Sequence, residues 1–254
     1  MKSLPRILST LVLAASLSLA HAQQPATGTK APKPDASAPI EKTDPSGRFR
    51  QMHESFLARG KAGPIGVLFL GDSITAGWTK APDIWKTHYE KYQPANFGIG
   101  GDQTQHVIWR IENGELEGIS PKVVVLMLGT NNTGTHTASE IAAADKKIIQ
   151  LIRTKLPKTK VLLLAIFPRG PRADKSGKIT DDGVTRMAII NAANAELAKL
   201  DDGKNVRFLN INAKFLDANG KIPDSIMPDQ LHPNTAGYKI WAEAMQPTLD
   251  AMMK

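Results

Sequence analysis

The stretch Ile65-Gly66-Val67-Leu68-Phe69-Leu70-Gly71-Asp72-Ser73-Ile74-Thr75 joins an apolar run, without a break, to a short polar turn. A short run of this kind, rich in branched and aromatic side chains, reads as a strand buried on both faces, the kind found in a parallel sheet covered by helices. A serine on a tight turn at the end of such a strand stands where an α/β enzyme presents a nucleophile to the crevice at the sheet edge. Read alone, Ser73 is equally a helix N-cap, and Asp-Ser pairs are common in turns. Its meaning depends on what the rest of the chain supplies.

Outward from this stretch, apolar runs at 94–97, 122–128, 161–167 and 206–211 read as four further strands. Amphipathic segments separate them. Phe49, Met52, Phe56 and Leu57 share a face over 48–59, and further helical patterns cover 83–92, 104–112 and 184–200. Thr137-x-x-Glu140 forms a capping box ahead of a helix carrying Ile141, Ile148, Leu151 and Ile152. A last helix places Tyr238, Trp241, Met245, Leu249 and Met252 inward, and residues 171–183, rich in Gly, Asp and Lys, read as a surface loop. Continuous apolar strands alternating with helices predict an α/β fold, a three-layer α/β/α sandwich around five main strands.

The first 22 residues carry the pattern of an export leader: Lys2 and Arg6, an apolar run over 7–20, and the small-x-small site Ala20-His21-Ala22. Cleavage there predicts an exported protein, periplasmic or secreted. Residues 23–47 are rich in Pro, Ala, Lys and Thr with almost no large apolar side chain, which predicts a flexible tether ahead of one domain over 48–254. The chain has no cysteine, so no disulfide, thiolate nucleophile or lipid-modified cysteine is available to it. Its formal charge of +8 falls to +6 once Lys2 and Arg6 are removed, and the remaining basic residues are scattered. That pattern predicts no nucleic-acid partner, and no run in the mature chain is long enough for an integral membrane segment. The sequence leaves the oligomeric state open.

Each chemically suggestive motif follows a strand. Ser73 comes after the first, Gly98-Ile99-Gly100-Gly101-Asp102 after the second, Gly129-Thr130-Asn131-Asn132 after the third, and Asp229-Gln230-Leu231-His232 lies in the long stretch before the last helix. A serine hydroxyl attacks only when a base takes its proton, and His232 is the candidate base. Asp229 is close enough in sequence to receive one imidazole N–H and fix the tautomer. Acyl transfer also needs donors for the developing oxyanion, and the N–H groups of Ser73 and Gly101 with the Asn131 amide are the candidates. Taken singly, Gly101 is equally a tight-turn residue, Asn131 an Asx turn, His232 a helix-start residue and Asp229 a turn former. Their common position at strand ends is what favours chemistry.

These four blocks resemble the signature blocks of the SGNH (GDSL-type) hydrolase superfamily. Within it, Asn96 to Asp102, His106 to Arg110, Asn113 to Glu117 and Pro168-Arg169-Gly170 are similar to the platelet-activating factor acetylhydrolase catalytic subunits. The resemblance implies Ser73 as nucleophile, Asp229 and His232 as the rest of a triad, and Ser73, Gly101 and Asn131 as the oxyanion hole. It also implies a flavodoxin-like strand order 2-1-3-4-5. The leader and the proline-rich segment depart from the intracellular enzymes, so their phospholipid substrate does not carry over directly.

Other motif readings fail on spacing. Position 103 is Gln where a dinucleotide fingerprint needs glycine, Thr75 replaces the last glycine of a Gly-x-Ser-x-Gly elbow, and no metal-ligand pattern is present, so neither cofactor nor metal is expected. His53, His88 and His106 read as ordinary helix residues and His136 as a rim residue. Ile74 and Leu231, next to the candidate catalytic residues, are expected to bound the acyl pocket, and Arg169 with the loop that follows is expected to contact the substrate. The favoured reading is an esterase for short acyl groups, acetyl foremost, on a small-molecule or glycan ester such as O-acetylated carbohydrate. The alternatives are a lysophospholipase- or thioesterase-type lipid acyl hydrolase and a catalytically silent carbohydrate-binding module.

Overall fold

The computed structural model of the protein describes residues 33–254. The leader read over 1–22 and the first part of the tether, 23–32, lie outside the described residues. Five strands, β1 (Val67–Gly71), β2 (Pro94–Gly98), β3 (Val123–Met127), β4 (Lys160–Leu164) and β5 (Val206–Leu209), form one parallel sheet in the order β2-β1-β3-β4-β5. This is the expected 2-1-3-4-5 order. Every residue of β1 and β3 is buried, as their unbroken apolar sequences require of central strands.

Alternation along the strands sorts the core into two layers. Leu68, Leu70, Phe97, Val124, Leu126, Val161 and Leu163 point to one face, where they meet helices α1 (Arg48–Lys61), α4 (Thr104–Arg110), α5 (Ala138–Lys155) and α6 (Val184–Leu197). Val67, Phe69, Val125, Met127, Leu162 and Leu164 point to the other, against the four-residue α2 (Ser73–Ala76), α3 (Pro82–Tyr89) and α7 (Thr235–Met252). An aromatic cluster of Phe69, Trp78, Trp85, Tyr89, Tyr238 and Trp241, with ring centroids 4.7–6.1 Å apart, packs this second layer. The sandwich is thus built as the periodicity predicts, and α5 starts with the expected Thr137–Glu140 capping box.

Several local expectations change. The strand expected over 65–70 runs over Val67–Gly71, and Gly66 precedes it with its N–H donating to the Gln93 carbonyl at 3.0 Å and its carbonyl accepting from Lys122 N–H at 2.8 Å; a Cβ at Gly66 would lie 2.3 Å from the Tyr92 carbonyl oxygen. The helix expected over 104–112 is regular to Arg110 and then loosens through Asn113 and Gly114, the latter at φ +95°. Residues 171–183 are more than a plain loop, since Arg172–Ala173 and Ile179–Asp181 pair as a small antiparallel hairpin.

The largest correction concerns the tether. Its described part, residues 33–47, lies along the domain: Ala36 is buried, its carbonyl accepts from Thr104 Oγ1 at 2.9 Å, and Ile40 N–H donates to the Gln105 carbonyl at 3.2 Å. Lys147 Nζ reaches the Ser37 carbonyl and His136 Nε2 the Pro34 carbonyl, each at 2.8 Å. His136, expected at the rim, is accordingly buried. A segment poor in apolar side chains is held here by its backbone polar groups, which find partners on α4, α5 and the turn after β3.

Candidate active site

The strand register aligns the site. Gly71 at the end of β1 pairs with Gly98 at the end of β2 and with Met127 at the end of β3. The turns that follow therefore open from one edge, at the place where the chain passes from one side of β1 to the other, the crevice in which ligands of open α/β sheets bind. Gly71 and Gly98 make the approach possible: a Cβ on Gly71 would lie 2.3 Å from Thr75 Oγ1, and one on Gly98 would lie 2.3 Å from the Ala76 nitrogen.

Ser73 is the first residue of α2, and the helix is capped by Asp72, whose Oδ1 accepts from Ile74 N–H at 2.9 Å. The Ser73 hydroxyl is thereby left to another partner, His232 Nε2 at 2.9 Å. His232 Nδ1 lies 2.6 Å from Asp229 Oδ2, and the His232 backbone N–H donates to Asp229 Oδ1 at 2.7 Å. The turn between them is strained, with Gln230 at φ +59°. It is held by Gly170 N–H donating to the Gln230 carbonyl at 2.8 Å and by Gln230 Nε2 donating to Asp224 Oδ1 at 2.6 Å. Tyr238 on α7 donates to the Ile74 carbonyl at 2.6 Å and so ties α7 to the serine turn.

Partial burial pushes the Asp229 carboxyl up, but the His232 side chain and backbone donors and the charge of Arg172 outweigh it and hold the group well below the usual carboxylate range. Arg172 Nη2, from the hairpin, stands 3.4 Å from Asp229 Oδ2. Nothing in the sequence pattern linked these two residues. The arrangement gives a hydroxyl, an imidazole in contact with it and, behind the imidazole, a carboxylate held in its ionised form at neutral pH.

The candidate oxyanion donors converge on the same turn. As the first helical residue, Ser73 has no intrahelical acceptor for its N–H. Gly101, at φ +74°, donates its N–H to no acceptor among the described residues. Asn131 Nδ2 is 2.8 Å from the Asp102 carbonyl and 3.4 Å from Asp72 Oδ2, which places its amide between the turns after β1 and β2. The structure thus brings together Ser73, Gly101, Asn131, Asp229 and His232. Ile74 is fully buried and Leu231 nearly so, both in the apolar layer beneath the site. Arg169 is also buried, its Nη2 2.7 Å from Asp181 Oδ2 and its Nη1 3.5 Å from Thr130 Oγ1, so it braces the hairpin against the turn that carries Asn131. With Gln230 it also lines a cavity of about 800 Å³ to which none of Ser73, Asp229 and His232 contributes.

Burial raises the Asp72 carboxyl to about 7 from 3.8, the Ile74 N–H opposing the shift and Asp102 adding to it. The native state therefore holds a proton there that the unfolded chain releases near pH 4. Its stabilising effect is complete below pH 4 and is lost as pH rises through 7. Asp72→Asn removes this dependence. Urea unfolding of the two proteins should show their stability difference moving in favour of Asn between pH 4.5 and 8, with a ceiling of about 4 kcal/mol. A difference independent of pH would mean that Asp72 is ionised throughout.

No helix among the described residues is long and apolar enough to cross a membrane. The sequence profile described as the GDSL-like Lipase/Acylhydrolase family matches residues 69–240. Platelet-activating factor acetylhydrolase IB subunit alpha1 of Bos taurus is 35% identical over 204 residues, 79% of this chain and 82% of that protein. Two solved structures share the fold. A GDSL-like lipase from Bacteroides thetaiotaomicron has a TM-score of 0.64 at 21% identity, over 78% of this chain and 97% of the other. A carbohydrate acetylesterase family member from Sinorhizobium meliloti has a TM-score of 0.58 at 16% identity, over 74% and 98%. On sequence and fold together, the chain belongs to the GDSL-like lipase/acylhydrolase family of ester hydrolases.

Proposed function

We propose that this protein is an exported serine esterase that removes short acyl groups, acetyl foremost, from O-acetylated carbohydrate. The observation that carries the reading is the continuous relay from Ser73 Oγ to His232 Nε2 at 2.9 Å and from His232 Nδ1 to Asp229 Oδ2 at 2.6 Å, beside the N–H groups of Ser73 and Gly101 and the Asn131 amide, which also donates to the Asp102 carbonyl at 2.8 Å. Ser73 Oγ attacks the ester carbonyl while His232 Nε2 takes its proton, and Asp229 stabilises the imidazolium. The carbonyl oxygen becomes an oxyanion facing the N–H groups of Ser73 and Gly101 and the Asn131 amide. Collapse expels the alcohol, which receives the proton from His232, and leaves an acyl group on Ser73. Water, deprotonated by His232, then attacks the acyl-enzyme and releases the acid.

The acyl preference rests on Ile74 and Leu231. Both are branched and buried, and they flank Ser73 and His232 in the chain, so a long chain entering there must displace packed side chains. The name of the acetylhydrolase relatives agrees with an acetyl group and favours one rival, an acetylated lipid. Export is supported by Lys2, Arg6 and the Ala20-His21-Ala22 site, and it places polysaccharide ahead of intracellular lipid. Nitrophenyl esters from two to twelve carbons test the first point: turnover should be highest for acetate, and a maximum at eight or more carbons overturns the acetyl preference. Acetate release from acetylated polysaccharide against a 2-acetyl phospholipid separates the two alcohols.

A further inference from the structure

The segment at 33–47 crosses both turns that carry candidate oxyanion donors. Ala36 and Ile40 are bonded to Thr104 and Gln105 just after Gly101, and Pro34 is bonded to His136 just after the Asn131 turn. Asn132 Oδ1 accepts from Thr104 N–H at 3.0 Å, and Gln103 Nε2 donates to the Asn131 carbonyl at 2.9 Å, so the two turns are also tied to each other. Into this junction the segment sends one cation. Lys42 Nζ donates to the Gly100 carbonyl and stands 3.4 Å from Asp102 Oδ1.

The Gly100 carbonyl and the Gly101 N–H belong to one planar peptide group and point in opposite directions. An ammonium fixed on the oxygen sets the plane in which the N–H lies, and it polarises the amide so that the N–H becomes a stronger donor. Gly101 leaves room for this, since a Cβ there would lie 3.1 Å from Lys42 Nζ. On the far side of the loop, Asp102 Oδ2 forms an ion pair with Arg110 Nε at 3.1 Å, and the Asp102 carbonyl accepts from Asn131 Nδ2 at 2.8 Å.

We propose that Lys42 is a positioning residue for ester hydrolysis, acting through the Gly100–Gly101 peptide to aim and strengthen the Gly101 N–H at the oxyanion. The segment that reads in sequence as a tether thus completes the site. This inference rests on the serine esterase reading above, and its test separates the two.

The experiment compares Lys42→Met, Lys42→Arg and Ser73→Ala in the full mature chain on nitrophenyl acetate, with active sites counted by end-point labelling with a fluorophosphonate. Lys42→Met should lower kcat per labelled site by about tenfold, a fraction of what loss of a whole donor costs, with KM changed less than about twofold. Its rate of phosphonylation, which places charge on the same donors, should fall in parallel, and Lys42→Arg should recover most of the loss. An unchanged kcat per labelled site in Lys42→Met overturns the proposal. So does a loss of activity matched by an equal loss of labelled sites, which is what a purely structural role gives. If Ser73→Ala keeps its activity, the serine reading itself fails. If Ser73→Ala is inactive while Lys42→Met is fully active, only the role of Lys42 falls.

Discussion

Ser73→Ala is expected to lower kcat for acetyl ester hydrolysis by about 10⁵-fold or more, the scale seen when a nucleophile acting as a unit with its base is removed. The same substitution should leave stability within about 0.5 kcal/mol of the parent. These two expectations belong together because of Asp72. Had Ser73 been the helix cap, alanine would cost about 1 kcal/mol through the lost bond to the helix N-terminus. The cap is Asp72, which accepts the Ile74 N–H at 2.9 Å, and the Ser73 hydroxyl bonds only to His232 among the described residues. Alanine is a good residue for the first helical position, so nothing structural is removed. Initial rates on nitrophenyl acetate with a denaturant melt on the same sample check both halves. An active Ser73→Ala protein would mean that another group performs the attack, and a large loss of stability would mean that the hydroxyl has a structural partner in solution.

The five residues that meet at the sheet edge were legible in the sequence because each lies in a short motif directly after a strand or in the stretch before the last helix. Strand and helix periods are set by burial, so the apolar runs around Phe69, Val125 and Leu163 announce a parallel sheet before any contact is known. Once the strands are parallel, Gly71, Gly98 and Met127 end at one edge, and Ser73, Gly101 and Asn131 follow within a few residues. What stayed hidden has no period. Lys42 meets Gly100 through a single side-chain bond from a segment whose composition lacks the apolar residues by which packing is normally recognised. Arg172 reaches Asp229 from the base of the hairpin, a pairing set by tertiary geometry alone. Arg169, with the loop that follows it, is expected from the sequence to contact the substrate. In the fold, Asp181 lies 2.7 Å from its guanidinium and makes it a brace.

Arg110 carries the largest expected effect on stability. Its side chain is wholly buried, and its Nη1 donates to both Glu115 oxygens at 2.6 and 2.7 Å and to the Phe97 carbonyl at 3.0 Å. Its Nε faces Asp102 Oδ2 at 3.1 Å, and His53 Nδ1 lies 3.4 Å from Glu115 on the other side. The guanidinium, with Lys42 Nζ 3.4 Å from Asp102 Oδ1, therefore offsets two carboxylates that are themselves buried, at the point where β1, β2 and the turn after β2 converge. Arg110→Met keeps an apolar stem but removes the guanidinium, whose Cζ stands 5.7 Å from the Phe56 ring centre, and leaves Asp102 and Glu115 buried without it, which should cost about 3–5 kcal/mol at pH 8. The cost should shrink on acidification. Burial raises Asp102 to about 6 even with Arg110 and Lys42 pulling it down, so losing Arg110 drives it higher and the variant folds with a proton there. A raised carboxyl adds stability that is complete below its unfolded value and fades as pH rises through its folded one, so the penalty should be smaller at pH 5 than at pH 8. Urea melts at both values decide it: a loss below about 1 kcal/mol at pH 8 would show that water reaches the two carboxylates and that the buried charge cluster does not hold the turn in place.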